Sequence, residues 1–195
     1  MAETKLNLGR ASVVVVDADA YTRMLTLQML RGLGCEKPTV FEQAQPALDH
    51  LLKIAADFCL IEPQMPDLNG YELIRTIRRT SEGPNRFIPF IVFTGFTRPA
   101  EVARARDCGA TTVVKKPASA RALFDHIAWA ALSKRPFVQV GEYVGPDRRF
   151  KSSGPPGGVG RRSTDLSPEI GAAEGPNLSQ QEIDALLKPT KVVVA

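Results

Sequence analysis

The 195 residues suffice for one full domain with an appendage, and an apolar fraction of 44% can furnish a core. No apolar run approaches the roughly 18 residues of a membrane span, which excludes an inserted helix. The net charge of +4 is uneven: residues 1–133 carry 16 basic and 14 acidic groups, residues 134–162 carry 7 and 2, and residues 163–195 carry 2 and 5. The basic excess thus lies in one short Gly/Pro-rich stretch, not on a folded nucleic-acid-binding face.

After an N-terminal arm (1–10), strand-like apolar runs alternate five times with helical periodicity, the pattern of a parallel sheet covered on both faces. The predicted strands are Ser12–Val16, Thr39–Phe41, Phe58–Ile61, Ile88–Phe93 and Thr112–Val114. Helices are expected near 20–33, 45–55, 70–80, 98–107 and 119–132. In the first, Leu25, Met29, Leu30 and Leu33 form the inward stripe and Gly34 supplies a stop. In the last, Leu123, Phe124, Ile127 and Ala131 face inward, while Trp129 falls on another face, either at the surface or under the tail. The domain spans 11–133. Residues 134–177, rich in Gly, Pro and Ser, read as a largely disordered linker. Residues 178–188 turn helical again.

Cys35, Cys59 and Cys108 are scattered without metal-ligand spacing and read as buried free thiols of a reducing compartment. Met1–Arg10 lacks the apolar core of a signal peptide, so a cytoplasmic location is expected. His50 and His126 stand alone on predicted helices, and no nucleophile–base arrangement suggests an enzyme.

Several polar residues sit at predicted strand ends, where open parallel sheets place their sites. Asp17 closes the first strand and is followed by Ala18. Asp19 is placed to cap the next helix. Glu62 closes the third strand and leads into Met65-Pro66-Asp67-Leu68-Asn69-Gly70. Thr94 closes the fourth, and Lys116-Pro117 follows the fifth. In this order these residues resemble the receiver domain of bacterial response regulators, over roughly residues 10–132. The resemblance implies an α/β, flavodoxin-like, doubly wound five-stranded parallel sheet of order 2-1-3-4-5. It also implies that position 62 is the phosphoacceptor, normally an aspartate, and that positions 17 and 18 are normally an acidic pair for magnesium. Thr94 and Lys116 correspond to the phosphate-contacting hydroxyl and ammonium. Pro117 corresponds to a proline that commonly follows a cis peptide bond. Val113 falls at the switch position, where many members carry Tyr or Phe.

The departures weigh against ordinary phosphorylation. Ala18 removes a carboxylate that near-octahedral magnesium would use. Glu62 adds a methylene, displacing its carboxylate by about 1.5 Å, and misplacements of about 1 Å can cost a hundredfold in rate. The expectation is no metal cofactor and a Glu62–Lys116 ion pair, read either as an active-state mimic or as a static replacement for the metal site.

The tail carries the second motif. Ser179 and Glu182 form a capping box, Leu178 can staple onto Ile183, and Ile183, Leu186 and Leu187 are expected to share one docking face. The stretch resembles the N-terminal peptide of flagellar motor switch proteins, which in that family docks on the activated chemotaxis regulator. A fold-back helix covering the chain's own surface is the alternative. Arg148, Arg149, Arg161 and Arg162 could hold an anion such as a cyclic dinucleotide, but a solvated basic linker is the simpler reading. No aromatic platform or recognition helix accompanies them, which speaks against DNA.

The functional expectation is a non-enzymatic signalling adaptor in flagellar motility or chemotaxis. Its peptide would dock on a phosphorylated chemotaxis response regulator or a flagellar motor component, with recruitment to the motor or the chemoreceptor cluster. The alternatives are a cyclic di-GMP-responsive motor regulator and a phosphoacceptor in a histidine-kinase relay.

Overall fold

The computed structural model describes residues 8–133, 135–147 and 177–187. Five short strands, β1 (Val13–Val16), β2 (Thr39–Phe41), β3 (Phe58–Ile61), β4 (Phe90–Thr94) and β5 (Thr112–Lys115), form one parallel sheet of order β2-β1-β3-β4-β5. The pairing sets Val16 beside Ile61 and Ile61 beside Val92, so the strands end together and their C-terminal residues share one rim. The intervening helices are α1 (Ala20–Gly32), α2 (Ala44–Leu51), α3 (Gly70–Arg79), α4 (Pro99–Asp107) and α5 (Ala120–Leu132).

Side chains alternate across the pleat. Val13, Val15, Leu60 and Ile91 point into a layer shared with Leu30 of α1 and Leu123, Ile127 and Ala130 of α5. Val14, Val16, Cys59, Ile61 and Val92 point the other way, toward α2, α3 and α4. The two central strands β1 and β3 are therefore apolar throughout, as expected of strands covered on both faces.

Two helical stripes are phased differently from the expectation. In α1, Leu30 is buried and Met29 and Leu33 pack beside it as expected, but Thr26 is buried and Leu25 is exposed. In α5 the inward residues are Leu123, Ile127, Ala128 and Ala130, while Ala131 faces solvent. Single-residue phase is fixed by the sheet beneath each helix, which periodicity alone does not locate. The three cysteines are free and buried, as expected.

The larger correction falls just after α5. The stretch read as linker begins with an antiparallel hairpin, β6 (Phe137–Val140) and β7 (Tyr143–Pro146), turning at Gly141-Glu142. It packs at the end of the sheet opposite the site rim, and Arg78 explains why it holds. That guanidinium is fully buried, donates to the carbonyls of Gly109, Arg86 and Ile88, and lies 4.8 Å from the rings of both Phe90 and Phe137. Gly109, with φ +94°, brings its backbone against the hairpin: a Cβ there would meet the Val144 carbonyl oxygen at 2.4 Å. Arg148, Arg149, Arg161 and Arg162 lie outside the described residues.

The tail helix α6 (Gln180–Leu187) lies across the open edge of β5, between α4 and α5. Trp129 is partly buried against the layer between α1 and α5, and it lines the cleft between α5 and α6 together with Asp184 and Leu187.

Candidate functional site at the strand rim

Glu62 leaves the end of β3 and is wedged between β4 and the loop after β5. Its Oε1 accepts from Thr94 Oγ1 at 2.7 Å and from the Gln64 amide at 3.3 Å, and its Oε2 accepts from Lys116 Nζ at 3.1 Å. Lys116 also donates to Asp17 Oδ2 at 2.7 Å. The ammonium thus bridges both carboxylates, with the side chains of Lys116, Asp17 and Glu62 only 14%, 5% and 11% exposed. Such charge-assisted contacts, largely shielded from water, hold their geometry better than surface pairs. Burial pushes the Glu62 carboxyl above the ordinary carboxylate range, against the opposing pull of Lys116 and Thr94.

The local sequence builds this arrangement. Asp19 caps α1 by accepting from the Thr22 amide at 2.7 Å, as expected. That turns Thr22 Oγ1 onto Asp17 Oδ2 at 2.8 Å, while the Asp19 amide donates to Asp17 Oδ1 at 2.9 Å. Gly70 opens α3 tight against the site loop, where an added Cβ would meet the Pro63 Cα at 2.8 Å. Lys116-Pro117 is joined by a cis peptide bond.

These residues do not suit a divalent cation. Both Asp17 oxygens and both Glu62 oxygens already accept hydrogen bonds, an ammonium lies between the two carboxylates, and Ala18 contributes no ligand. Among the described residues, no group of three or more His, Cys, Asp or Glu side chains is gathered for a metal.

Two supporting residues escaped sequence reasoning. Arg23 donates to the Asp17 and Ala18 carbonyls at 2.8 and 3.1 Å and pairs with Glu42 at 2.6 Å, adding positive charge beside Ala18. Asp67 accepts from the Ala44 and Gln45 amides, capping α2 from 22 to 23 residues away. A cap so distant in sequence leaves no local signal.

The tail motif joins the same rim. Leu178 exchanges backbone contacts with the loop after β4: its amide donates to the Thr97 carbonyl at 2.7 Å, and its carbonyl accepts from Thr97 Oγ1 at 2.8 Å and Lys115 Nζ at 3.1 Å. The capping box forms, with the Ser179 amide donating to Glu182 Oε2 at 2.7 Å and the Glu182 amide to Ser179 Oγ at 3.3 Å. Ile183 is fully buried in the same apolar cluster as Val113, Val102 and Ala105, and Leu178 and Leu187 pack at its margin. Leu186, expected on the docking face, is instead 53% exposed. At about 100° per residue, Ile183 and Leu187 lie one above the other, and the face centred on them turns Leu186 toward solvent.

Comparison with known proteins identifies the domain. The response regulator receiver domain model matches residues 13–128, and the chain belongs to that family. The sensory/regulatory protein RpfC of Xanthomonas campestris pv. campestris is 25% identical over 123 residues, covering 63% of this chain and 17% of the relative. The DNA-binding response regulator MtrA of Mycolicibacterium paratuberculosis is 29% identical over 109 residues, 55% of this chain and 45% of that protein. The chain therefore spans less than half the length of these curated relatives. Among solved structures, the chemotaxis protein CheY4 of Vibrio cholerae superposes with a TM-score of 0.56 at 23% identity, covering 62% of this chain and 98% of that one. A receiver domain of a signal transduction histidine kinase from Syntrophus aciditrophicus gives 0.56 at 20% identity, covering 67% and 98%. At such identities the superpositions speak for the fold alone. Among the described residues, no helix is long and apolar enough to cross a membrane.

Proposed function

We propose that this receiver-family protein is a non-enzymatic adaptor whose rim is locked by its own charges and whose tail helix docks on receiver surfaces. The observation that carries the reading is the seat of α6. Ile183 is fully buried against a receiver's β5 edge, and the backbone of Leu178 is tied to the loop following Thr94. A helix fitted to one receiver surface can fit another of similar shape. Its resemblance to the regulator-binding peptide of motor switch proteins makes a phosphorylated chemotaxis regulator the proposed partner, at the flagellar motor or the chemoreceptor cluster.

In this reading Glu62 works as a fixed anion, not as an acceptor. Phosphoryl transfer needs an aligned acceptor oxygen and a cation that neutralises developing charge. Both Glu62 oxygens are held by donors, and the cation in place is the tethered ammonium of Lys116. Intact-mass spectrometry after treatment with a small phosphodonor and magnesium tests this. The parent should gain no phosphoryl adduct, whereas the doubly substituted Ala18→Asp, Glu62→Asp chain should gain one. A stoichiometric adduct on Glu62 of the parent would overturn the adaptor reading in favour of a relay protein.

A further inference from the structure

Among the described residues β5 is an edge strand, and the backbone groups on its outer side have no strand partner there. Such edges are commonly covered to prevent unwanted pairing. Here the cover is a single side chain. Gln180 Nε2 donates to the Val113 carbonyl at 3.0 Å, and Gln180 Oε1 accepts from the Lys115 amide at 2.6 Å. In a parallel sheet, one residue of a neighbouring strand donates to the carbonyl of residue i and accepts from the amide of residue i+2. The carboxamide reproduces that step with one amide group. Its second N–H donates to Asp184 Oδ1 at 2.9 Å, one helical turn on. Both N–H donors and one of the oxygen's two lone pairs are thereby used, and the network sets the orientation: the oxygen faces a donor and the nitrogen faces two acceptors.

We propose that Gln180 is the specificity-determining residue of this docking surface, and that the chain's own tail is the resident occupant, withheld from partners while it is seated. The surface reads a helix with three features: a glutamine immediately after the N-cap, an apolar residue three positions later (Ile183), and another four beyond that (Leu187). The glutamine sets where along β5 the helix lies, and the two apolar residues fill the seat between α4 and α5. Asn could not reach the strand from the same backbone position. Glu would place a second acceptor against the Val113 carbonyl and the Asp184 carboxylate. Because one helix face serves both, docking on the chain's own receiver and docking on a partner exclude each other. This inference rests on the adaptor reading for the partner's nature, but not for the closed state itself.

The test uses the full chain and its single tryptophan, Trp129, which lines the cleft under α6. Hydrogen exchange of residues 180–187 and Trp129 emission are compared in the parent, Gln180→Glu, Gln180→Ala and Ile183→Ala. Gln180→Glu should lower protection of the helix at least tenfold and shift the emission, with Gln180→Ala between it and the parent, the Lys115 amide losing protection in step with the helix, and the other sheet amides unchanged. A fluorescent peptide of residues 174–190 should then bind the Gln180→Glu chain, whose seat is vacated, at least tenfold more tightly than the parent chain. If protection in Gln180→Glu stays within twofold of the parent while Ile183→Ala releases the helix, the apolar seat alone selects and the role of Gln180 is wrong. Equal peptide binding by both chains would likewise overturn a closed state. Protection that falls on dilution would make a second copy's tail the occupant, against the self-docked reading. Peptide binding to a phosphorylated chemotaxis regulator is titrated separately, so failure of the adaptor reading leaves a different signature.

Discussion

Lys116→Met puts the largest electrostatic strain on the rim, and its cost can be worked from the structure. The substitution keeps most of the side chain's bulk but removes the ammonium from between Asp17 and Glu62, which are 5% and 11% exposed. Removing one partner of a buried ion pair costs about 3–5 kcal/mol, because the remaining charge is left uncompensated. Two features place this case near the lower end. Asp17 keeps the Thr22 hydroxyl and the Asp19 amide, and Glu62 keeps the Thr94 hydroxyl and the Gln64 amide. A loss of about 3 kcal/mol at pH 7 is therefore expected, which for a domain of this size lowers the melting temperature on the order of 10 °C. Adding Glu62→Gln removes one of the two stranded charges and should restore about 1–2 kcal/mol. Urea denaturation of the parent, both single variants and the double variant closes the cycle. A coupling energy within about 0.3 kcal/mol of zero would mean that the Glu62–Lys116 contact does not matter to the fold, and the locked-rim argument would fall.

Four further expectations follow from particular contacts. Because burial raises the Glu62 carboxyl in the folded chain, the folded state binds its proton more tightly than the unfolded state does. Its contribution is complete below the unfolded carboxylate range and is lost as pH rises through the folded value, so the parent should lose stability relative to Glu62→Gln as pH is raised from about 4 to 7. A parent that instead gains stability relative to Glu62→Gln over that range would refute burial as the dominant cause. Asp67→Ala removes the distant cap of α2 and should cost about 1 kcal/mol in chemical denaturation, with the loss of protection concentrated in residues 44–47. Gly109→Ala, at φ +94° and facing the Val144 carbonyl, should raise hydrogen exchange of 137–146 while leaving the rim intact; an unchanged hairpin would contradict its docking there. Leu186→Ala, on the exposed side of α6, should alter tail docking by no more than about 0.5 kcal/mol, whereas Ile183→Ala should cost about 2 kcal/mol or more, measured by peptide titration.

The strands were legible because each is a short, largely apolar run, most of them rich in β-branched residues, and the rim followed because its polar residues stand at the ends of those runs. Asp17, Glu62, Thr94 and Lys116 meet as expected, and Asp19 and Ser179 cap the helices they precede. What escaped depends on contacts between segments far apart in sequence. The hairpin over 137–146 lies in a Gly/Pro-rich stretch, and its support comes from Arg78 and Gly109. The outward turn of Leu186 depends on which side of α6 meets the sheet. Gln180 reads as an ordinary polar helix residue until the open edge of β5 is set beside it.

The adaptor reading stands or falls most directly on the tail. A fluorescent peptide of residues 174–190 is titrated by anisotropy against a chemotaxis response regulator, with and without phosphodonor and magnesium. The account predicts saturable binding that strengthens at least tenfold on phosphorylation of the regulator and weakens about thirtyfold with Ile183→Ala, equivalent to about 2 kcal/mol. Absence of saturable binding to the phosphorylated regulator, or identical binding by the parent and Ile183→Ala peptides, would contradict it.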